Sequence, residues 1–214
     1  MQDPVKPTWR VTALQRTPGA YGPLSKLAAL AMKLAGWRAL VADPLPEKCV
    51  VVMYPHTSNW DFLAGLFSKW AVGLDFKRDR LCFAGKESLF KGPWAGFFRA
   101  VGGFPVNRQT ATGFVPQMAE RFARAPRMRF AIAPEGTRNY APFVRSSFYH
   151  VAVAAGVPIV LGALDFRTKR VLVNAVFAPT GNAAIDLATI ADYYAKLGNK
   201  GAKPALAAPW KFRP

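Results

Sequence analysis

From Pro46 onward, short apolar runs alternate with helical ones, and this alternation constrains the fold more than any other feature of the chain. Strand candidates are Cys49–Met53, Leu81–Ala84, Phe104–Val106, Arg129–Ala133, Val157–Leu164 and Val171–Phe177. Helix candidates are Phe62–Val72, Pro93–Ala100, Gly113–Ala125, Ser147–Ala155 and Ile185–Lys196. Such alternation predicts a single α/β domain with a largely parallel or mixed central sheet flanked by helices. The strands are continuous apolar runs, as strands covered on both faces must be. In sheets of this kind ligands meet the loops beyond the strand ends, so those loops are where chemistry is expected.

Ahead of that pattern, residues 1–23 hold Pro4, Pro7, Pro18 and Pro23 without periodicity and read as a lead-in. The N-terminus has no apolar stretch after its charges, so a cleaved signal peptide is not expected. From Leu24, apolar residues recur at three- and four-residue spacing: Leu24, Leu27, Ala28, Ala31, Leu34 and Ala35 are expected on one helix face, with Lys26 and Lys33 opposite. Read as a helix from Leu24 to Leu40 with Trp37 near its end, this stretch would lie flat on a membrane, because two lysines inside it oppose spanning; an ordinary core-packing helix over Leu24–Ala35 is the alternative. The expected organisation is a lead-in and membrane-surface helix over 1–45, then an α/β domain over 46–214. The tail Pro209-Trp210-Lys211-Phe212-Arg213 offers a second aromatic and basic contact. Ser146–Leu164 is free of Asp, Glu, Lys and Arg, but Gly156 and Pro158 divide it into a buried helix, a turn and a buried strand.

Charge narrows the partners. Lys and Arg number 29 against 12 Asp and Glu, a net +17. An excess of that size calls for an anionic partner: a membrane surface, a phosphorylated substrate or nucleic acid. The last lacks support, since the chain has no helix-turn-helix signal, no RNP-like strand and no zinc spacing. With 51% hydrophobic residues the chain can bury a core, which excludes wholesale disorder. Cys49 and Cys82 sit in apolar runs without a CxxC neighbour, so neither a disulfide framework nor a metal site is expected, and a reducing, cytoplasmic setting is.

Only two histidines exist. His150 falls inside a buried-helix pattern and reads as a packing residue. His56 follows the strand Cys49–Met53, and Asp61 stands five residues later. On a regular helix the two would be about 140° apart. With His56 in the loop and Asp61 in the first helical turn, the carboxylate can reach one ring nitrogen, fix the tautomer and leave the other as a general base. Thr57, Ser58 and Asn59 can each cap that helix. The same residues also fit a capping histidine beside a helix-starting aspartate. Pro134-Glu135-Gly136-Thr137-Arg138 follows another strand. Gly136 permits a tight turn or a close backbone approach, and an arginine such as Arg138 suits bidentate phosphate recognition. A surface turn with a Glu135–Arg138 pair is the alternative. Val101–Arg108 is a third strand-end segment, with Arg108 either an anion ligand or a solvated side chain. No GxGxxG, Walker or GxSxG motif is present, and neither cysteine has a histidine nearby in sequence. Without a nucleophile, the substrate's own hydroxyl is the attacking group.

In this order the loops resemble the 1-acylglycerol-3-phosphate acyltransferase (lysophospholipid acyltransferase) family, over roughly Val50 to Phe166. His56-x4-Asp61 looks like its first block, and Lys86-Glu87-Ser88-Leu89-Phe90 through Gly103-Phe104-Pro105-Val106-Asn107-Arg108 like its second. Pro134–Arg138 is similar to its third and Val157-Pro158-Ile159 to its fourth. Pro55 stands where the family often has Asn, Asn107 where it often has Asp, and Arg145-Ser146-Ser147 replaces a Lys-rich, Gly-containing turn. The resemblance implies a membrane-associated O-acyltransferase with His56 as base and Asp61 as its partner. Arg108, Glu135, Gly136, Thr137 and Arg138 would contribute to acceptor binding or site architecture. It implies acyl-CoA or acyl-acyl carrier protein as co-substrate, a lysolipid acceptor, no other cofactor, and a peripheral or monotopic place on the inner membrane face. Backbone N–H groups near Gly136 are candidate oxyanion donors. A non-catalytic basic lipid-binding protein and an acyltransferase for a non-phosphorylated lipid are the alternative readings.

Overall fold

The apolar runs all become strands of one eight-stranded mixed sheet in the computed structural model, which describes residues 9–74, 81–106 and 111–212. The strands are β1 (Trp9–Val11), β2 (Arg38–Val41), β3 (Lys48–Tyr54), β4 (Leu81–Lys86), β5 (Gly103–Val106), β6 (Met128–Ile132), β7 (Ile159–Asp165) and β8 (Arg170–Phe177). The helices are α1 (Pro23–Leu34), α2 (Asn59–Ala71), α3 (Ala95–Ala100), α4 (Ala111–Arg124), α5 (Ser147–Ala155) and α6 (Ala183–Leu197). The sheet order is β1-β8-β7-β3-β6-β4-β5, with β2 pairing parallel to β8 as well. From β7 to β5 every pairing is parallel, while β8 runs antiparallel to β7.

β3 shows why the apolar run is unbroken. Cys49, Val50, Val51 and Val52 are all fully buried. Val50 and Val52 face one core with Met118 and Phe122 of α4, Phe148 of α5 and Ile190 of α6. Cys49 and Val51 face the other, with Ala28 and Met32 of α1 and Ala71 of α2. With helices on both faces, every residue of a central strand meets apolar neighbours, and each fully buried valine contributes roughly 1.5–3 kcal/mol.

Two elements lie where the sequence shows no strand. β1, inside the lead-in, pairs antiparallel with one half of β8's outer edge, and β2 pairs parallel with the other half. The expected helix Leu24–Leu40 therefore stops at Leu34 and turns into strand β2. Its packing face also differs. Ser25, Ala28 and Met32 are the buried residues, and the Ser25 hydroxyl donates to the Ala71 carbonyl of α2 at 2.6 Å. That close approach favours small residues against α2, so Ala28 separates from the leucines it was grouped with. Leu24, Leu27, Leu30 and Leu34 are left 40–81% exposed. At about 100° per residue, Lys26 and Lys33 fall between the two faces and not opposite the leucines.

Trp37 packs edge-on against Phe166 at 4.8 Å. In the tail, Trp210 stacks on Tyr194 at 4.4 Å with its ring nitrogen buried, so it belongs to the core and not to an outer surface. His150, expected to pack inside, is exposed on α5 beside the Tyr149 ring. Ser146–Leu164 does resolve into helix α5, a turn and strand β7. Among the described residues, no helix is long and apolar enough to cross a membrane.

Candidate active site

Parallel pairing of β3 with β6, Val52 opposite Ile132, brings the C-terminal ends of these two strands side by side. The loop after β3 carries His56 and the loop after β6 carries Glu135, so residues 79 apart in sequence become neighbours. α2 begins just beyond His56. Ser58 is its N-cap, with extended backbone and a side chain that accepts from the chain ahead, while Asp61 at the third helical position reaches back as the other half of a capping box.

Asp61 does more than cap. Its Oδ2 accepts from Thr57 N at 2.5 Å and Ser58 N at 2.7 Å, and lies 3.2 Å from His56 Nδ1. One buried carboxylate oxygen thus fixes both the path of the loop and the orientation of the imidazole. The ring is 30% exposed, and its Nε2 has no partner among the described residues. An imidazole anchored through Nδ1 on a carboxylate and open at Nε2 can accept a proton from an incoming hydroxyl. Asp61 starts the helix and also holds the histidine, while Ser58, and not His56, caps α2.

Glu135 is 3% exposed, and its Oε1 accepts from the His56 backbone N–H at 2.7 Å. Burial pushes its carboxyl from the ordinary 4.5 up to about 7, and the hydrogen bond from His56 only partly offsets this. Its Oε2 is buried without a hydrogen-bond partner. The surface pair of Glu135 with Arg138 is not formed, because Glu135 turns inward onto the His56 loop while Arg138 stays exposed. Gly136 takes φ +65, which a side chain rarely tolerates, and its N–H donates to the Ala133 carbonyl at 3.2 Å. That N–H is committed to the turn and is not an open oxyanion donor. Thr137 Oγ1 accepts from Asn139 N at 3.2 Å, a turn-shaping bond. Arg108 and Asn107 lie outside the described residues.

Arg145 comes closer to the site than the sequence suggests: a Cβ on Gly136 would lie 3.1 Å from its Nε. It follows the Glu135 turn because its own N–H donates to the Pro134 carbonyl at 2.8 Å. The departure at Arg145-Ser146-Ser147 marks the position in sequence, but only the loop's return places the side chain. Next in the chain after Asp61, Phe62 meets Phe83 of β4 at 5.6 Å and Phe98 of α3 at 5.8 Å, a partly exposed aromatic wall. The thiols offer no nucleophile here. Burial pushes Cys49 up to about 12, and Cys82 Sγ donates to the Arg129 carbonyl at 3.3 Å.

A histidine in the loop after β3 is thus oriented by a buried aspartate and braced by a buried glutamate from the loop after the adjacent strand β6. Residues 40–161 match the Acyltransferase family, and the chain belongs to that family of acyltransferase enzymes. Among solved structures, the crystal structure of the 1-acyl-sn-glycerophosphate (LPA) acyltransferase PlsC from Thermotoga maritima is similar to it in fold. The TM-score is 0.52 at 18% identity, covering 81% of this chain and 76% of that one. A search of curated proteins finds no significant match.

Proposed function

We propose that the chain moves a fatty acyl group from an acyl thioester, acyl-CoA or acyl-acyl carrier protein, to a hydroxyl of a lysophospholipid-like acceptor. The observation that carries this reading is the His56–Asp61 pair, in which Nδ1 faces the buried carboxylate and the imidazole is 30% exposed. His56 Nε2 takes the proton of the acceptor hydroxyl as its oxygen attacks the thioester carbonyl. The tetrahedral intermediate collapses, the C–S bond breaks, and the departing thiolate takes the proton back from the imidazolium. Asp61 stabilises that imidazolium, and Glu135 holds the loop that carries it. The aromatic wall of Phe62, Phe83 and Phe98 is suited to an acyl chain, and exposed Arg138 and Arg145 to a phosphate. Arg108 is proposed for the same anion on the family resemblance, and the similarity in fold to the Thermotoga maritima 1-acyl-sn-glycerophosphate acyltransferase supports a glycerophosphate acceptor.

The setting we propose is a membrane surface. The four exposed leucines of α1 form an apolar stripe flanked by Lys26 and Lys33, and the net charge is +17. A stripe of that kind inserts at the acyl boundary while the lysines meet anionic headgroups. The test is a panel of lysolipids with labelled palmitoyl-CoA and palmitoyl-acyl carrier protein, run on wild type and His56→Ala. Transfer to a lysophospholipid that falls ~10²–10⁴-fold in folded His56→Ala is expected. Wild-type rates in that variant refute the base assignment, and transfer confined to non-phosphorylated lipids refutes the acceptor.

A further inference from the structure

His56 sits in a loop, where no helical or sheet ladder sets its position, so its place depends on bonds made from outside. Asp61 of α2 and Glu135 of the loop after β6 hold that loop by hydrogen bonds. The segment after α6, residues 199–212, holds it as well, and it lies outside the 40–161 stretch that the family match covers. Asn199 Nδ2 donates to the Tyr54 carbonyl at 2.8 Å and to the Leu164 carbonyl at 3.2 Å, tying β3 to β7 where their pairing ends at Tyr54 and Ala163. Gly201 is buried against the loop: a Cβ there would lie 2.7 Å from Thr57 Oγ1 and 2.8 Å from Pro55 Cγ. Lys203 N–H donates to the buried Thr57 hydroxyl at 3.1 Å. The Tyr54 hydroxyl donates to the Ala208 carbonyl at 2.8 Å. Further on, Lys211 offers its carbonyl to Val144 N at 2.9 Å, next to the residue that returns to the Glu135 turn. Tyr54 and Pro55 before the histidine, and Thr57 after it, are all touched by this one segment.

We propose that residues 199–212 form a strap that positions His56, acting through Asn199, Gly201 and the Thr57 hydroxyl, so that Nε2 meets the acceptor hydroxyl in reacting geometry. This rests on the reading of His56 as the base. Gly201 is the sensitive point, because a methyl group there has no space unless Thr57 or Pro55 moves, and both are joined to His56 through the chain.

Gly201→Ala and Gly198→Ala make the matched test. Gly198 ends α6 at φ +59 with nothing within 4 Å of a Cβ, so alanine there strains the backbone without touching the loop. Two readouts are taken. The first is kcat and KM with palmitoyl-CoA and lysophosphatidate. The second is the imidazole ¹H–¹⁵N spectrum with both rings neutral, which is simple because His56 and His150 are the only histidines and His56→Ala assigns them. In wild type, Asp61 should hold His56 as the Nδ1-protonated tautomer. A misplacement of about 1 Å costs ~10²-fold, so Gly201→Ala should lose ~10–100-fold in kcat with KM within about threefold, and its His56 signals should move towards a tautomer mixture. Gly198→Ala should melt lower yet keep the wild-type kcat and tautomer. Asn199→Leu, close in shape but without the donor, should follow Gly201→Ala and carries the test if the alanine variant does not fold. Folded Gly201→Ala with one tautomer and kcat within about twofold of wild type overturns the strap, as does equal tautomer mixing in Gly198→Ala. Wild-type turnover in His56→Ala would instead remove the base reading, while the tautomer spectra still decide whether the strap positions the ring.

Discussion

Glu135 sets up a pH dependence of stability whose sign and size follow from its burial. Its carboxyl titrates at about 7 in the folded protein and near its ordinary 4.5 when unfolded. Between those values the folded chain holds a proton that the unfolded chain has lost, so stability falls as pH rises through this window. At about 1.4 kcal/mol for each tenfold change in proton affinity, the loss between pH 4 and pH 8 amounts to about 3 kcal/mol. Glu135→Gln removes the titration and keeps an oxygen to accept the His56 N–H. Its amide NH₂ takes the place of Oε2, which has no hydrogen-bond partner in the wild type. The stability difference between variant and wild type should be small near pH 4, grow in favour of the variant between 4.5 and 7, and level off above. Urea unfolding of both proteins at half-unit steps from pH 4 to 8.5 measures it. Taking the difference cancels groups common to both, including Asp165, which is held below its ordinary value chiefly by bonds from Thr168, Lys200 and Arg167 that outweigh burial. Two parallel curves across that range would refute the burial argument. A variant less stable at pH 8 would show that the carboxylate is held by a donor stronger than the His56 N–H.

Asp61→Asn should lower kcat by ~10²–10⁴-fold, since the amide no longer stabilises the imidazolium, and should cost roughly 1–3 kcal/mol of stability through the weakened bonds to Thr57 and Ser58. Steady-state rates beside urea melts check both, and an unchanged kcat would reduce Asp61 to a helix cap. Leu27→Glu with Leu34→Glu should leave the fold intact, because both side chains are exposed, and abolish flotation with anionic vesicles. Undiminished flotation would remove α1 as the membrane contact.

The sequence alone determined the parts of this protein whose physics is local. Apolar runs of strand length bounded by turn residues gave β3, β4, β6, β7 and β8 to within two residues, and in the central strands β3 and β7 the run is unbroken because both faces are covered. The His56–Asp61 spacing was legible because a capping box and a loop histidine are both short-range features. Tertiary structure decided what depends on pairing across distance. β1 and β2 are strands only because β8's outer edge is open to them, and three or four residues carry too weak a pattern to announce it. Which stripe of α1 faces inward was set by how near α2 comes, a distance no periodicity contains. Glu135 looked equally suited to a surface pair until the parallel register of β3 and β6 laid its loop beside His56. The strap is the furthest case: Asn199, Gly201 and Lys203 meet Tyr54, Pro55 and Thr57 across about two-thirds of the chain, and a short Gly-containing loop after a helix carries no local sign of what it will close upon.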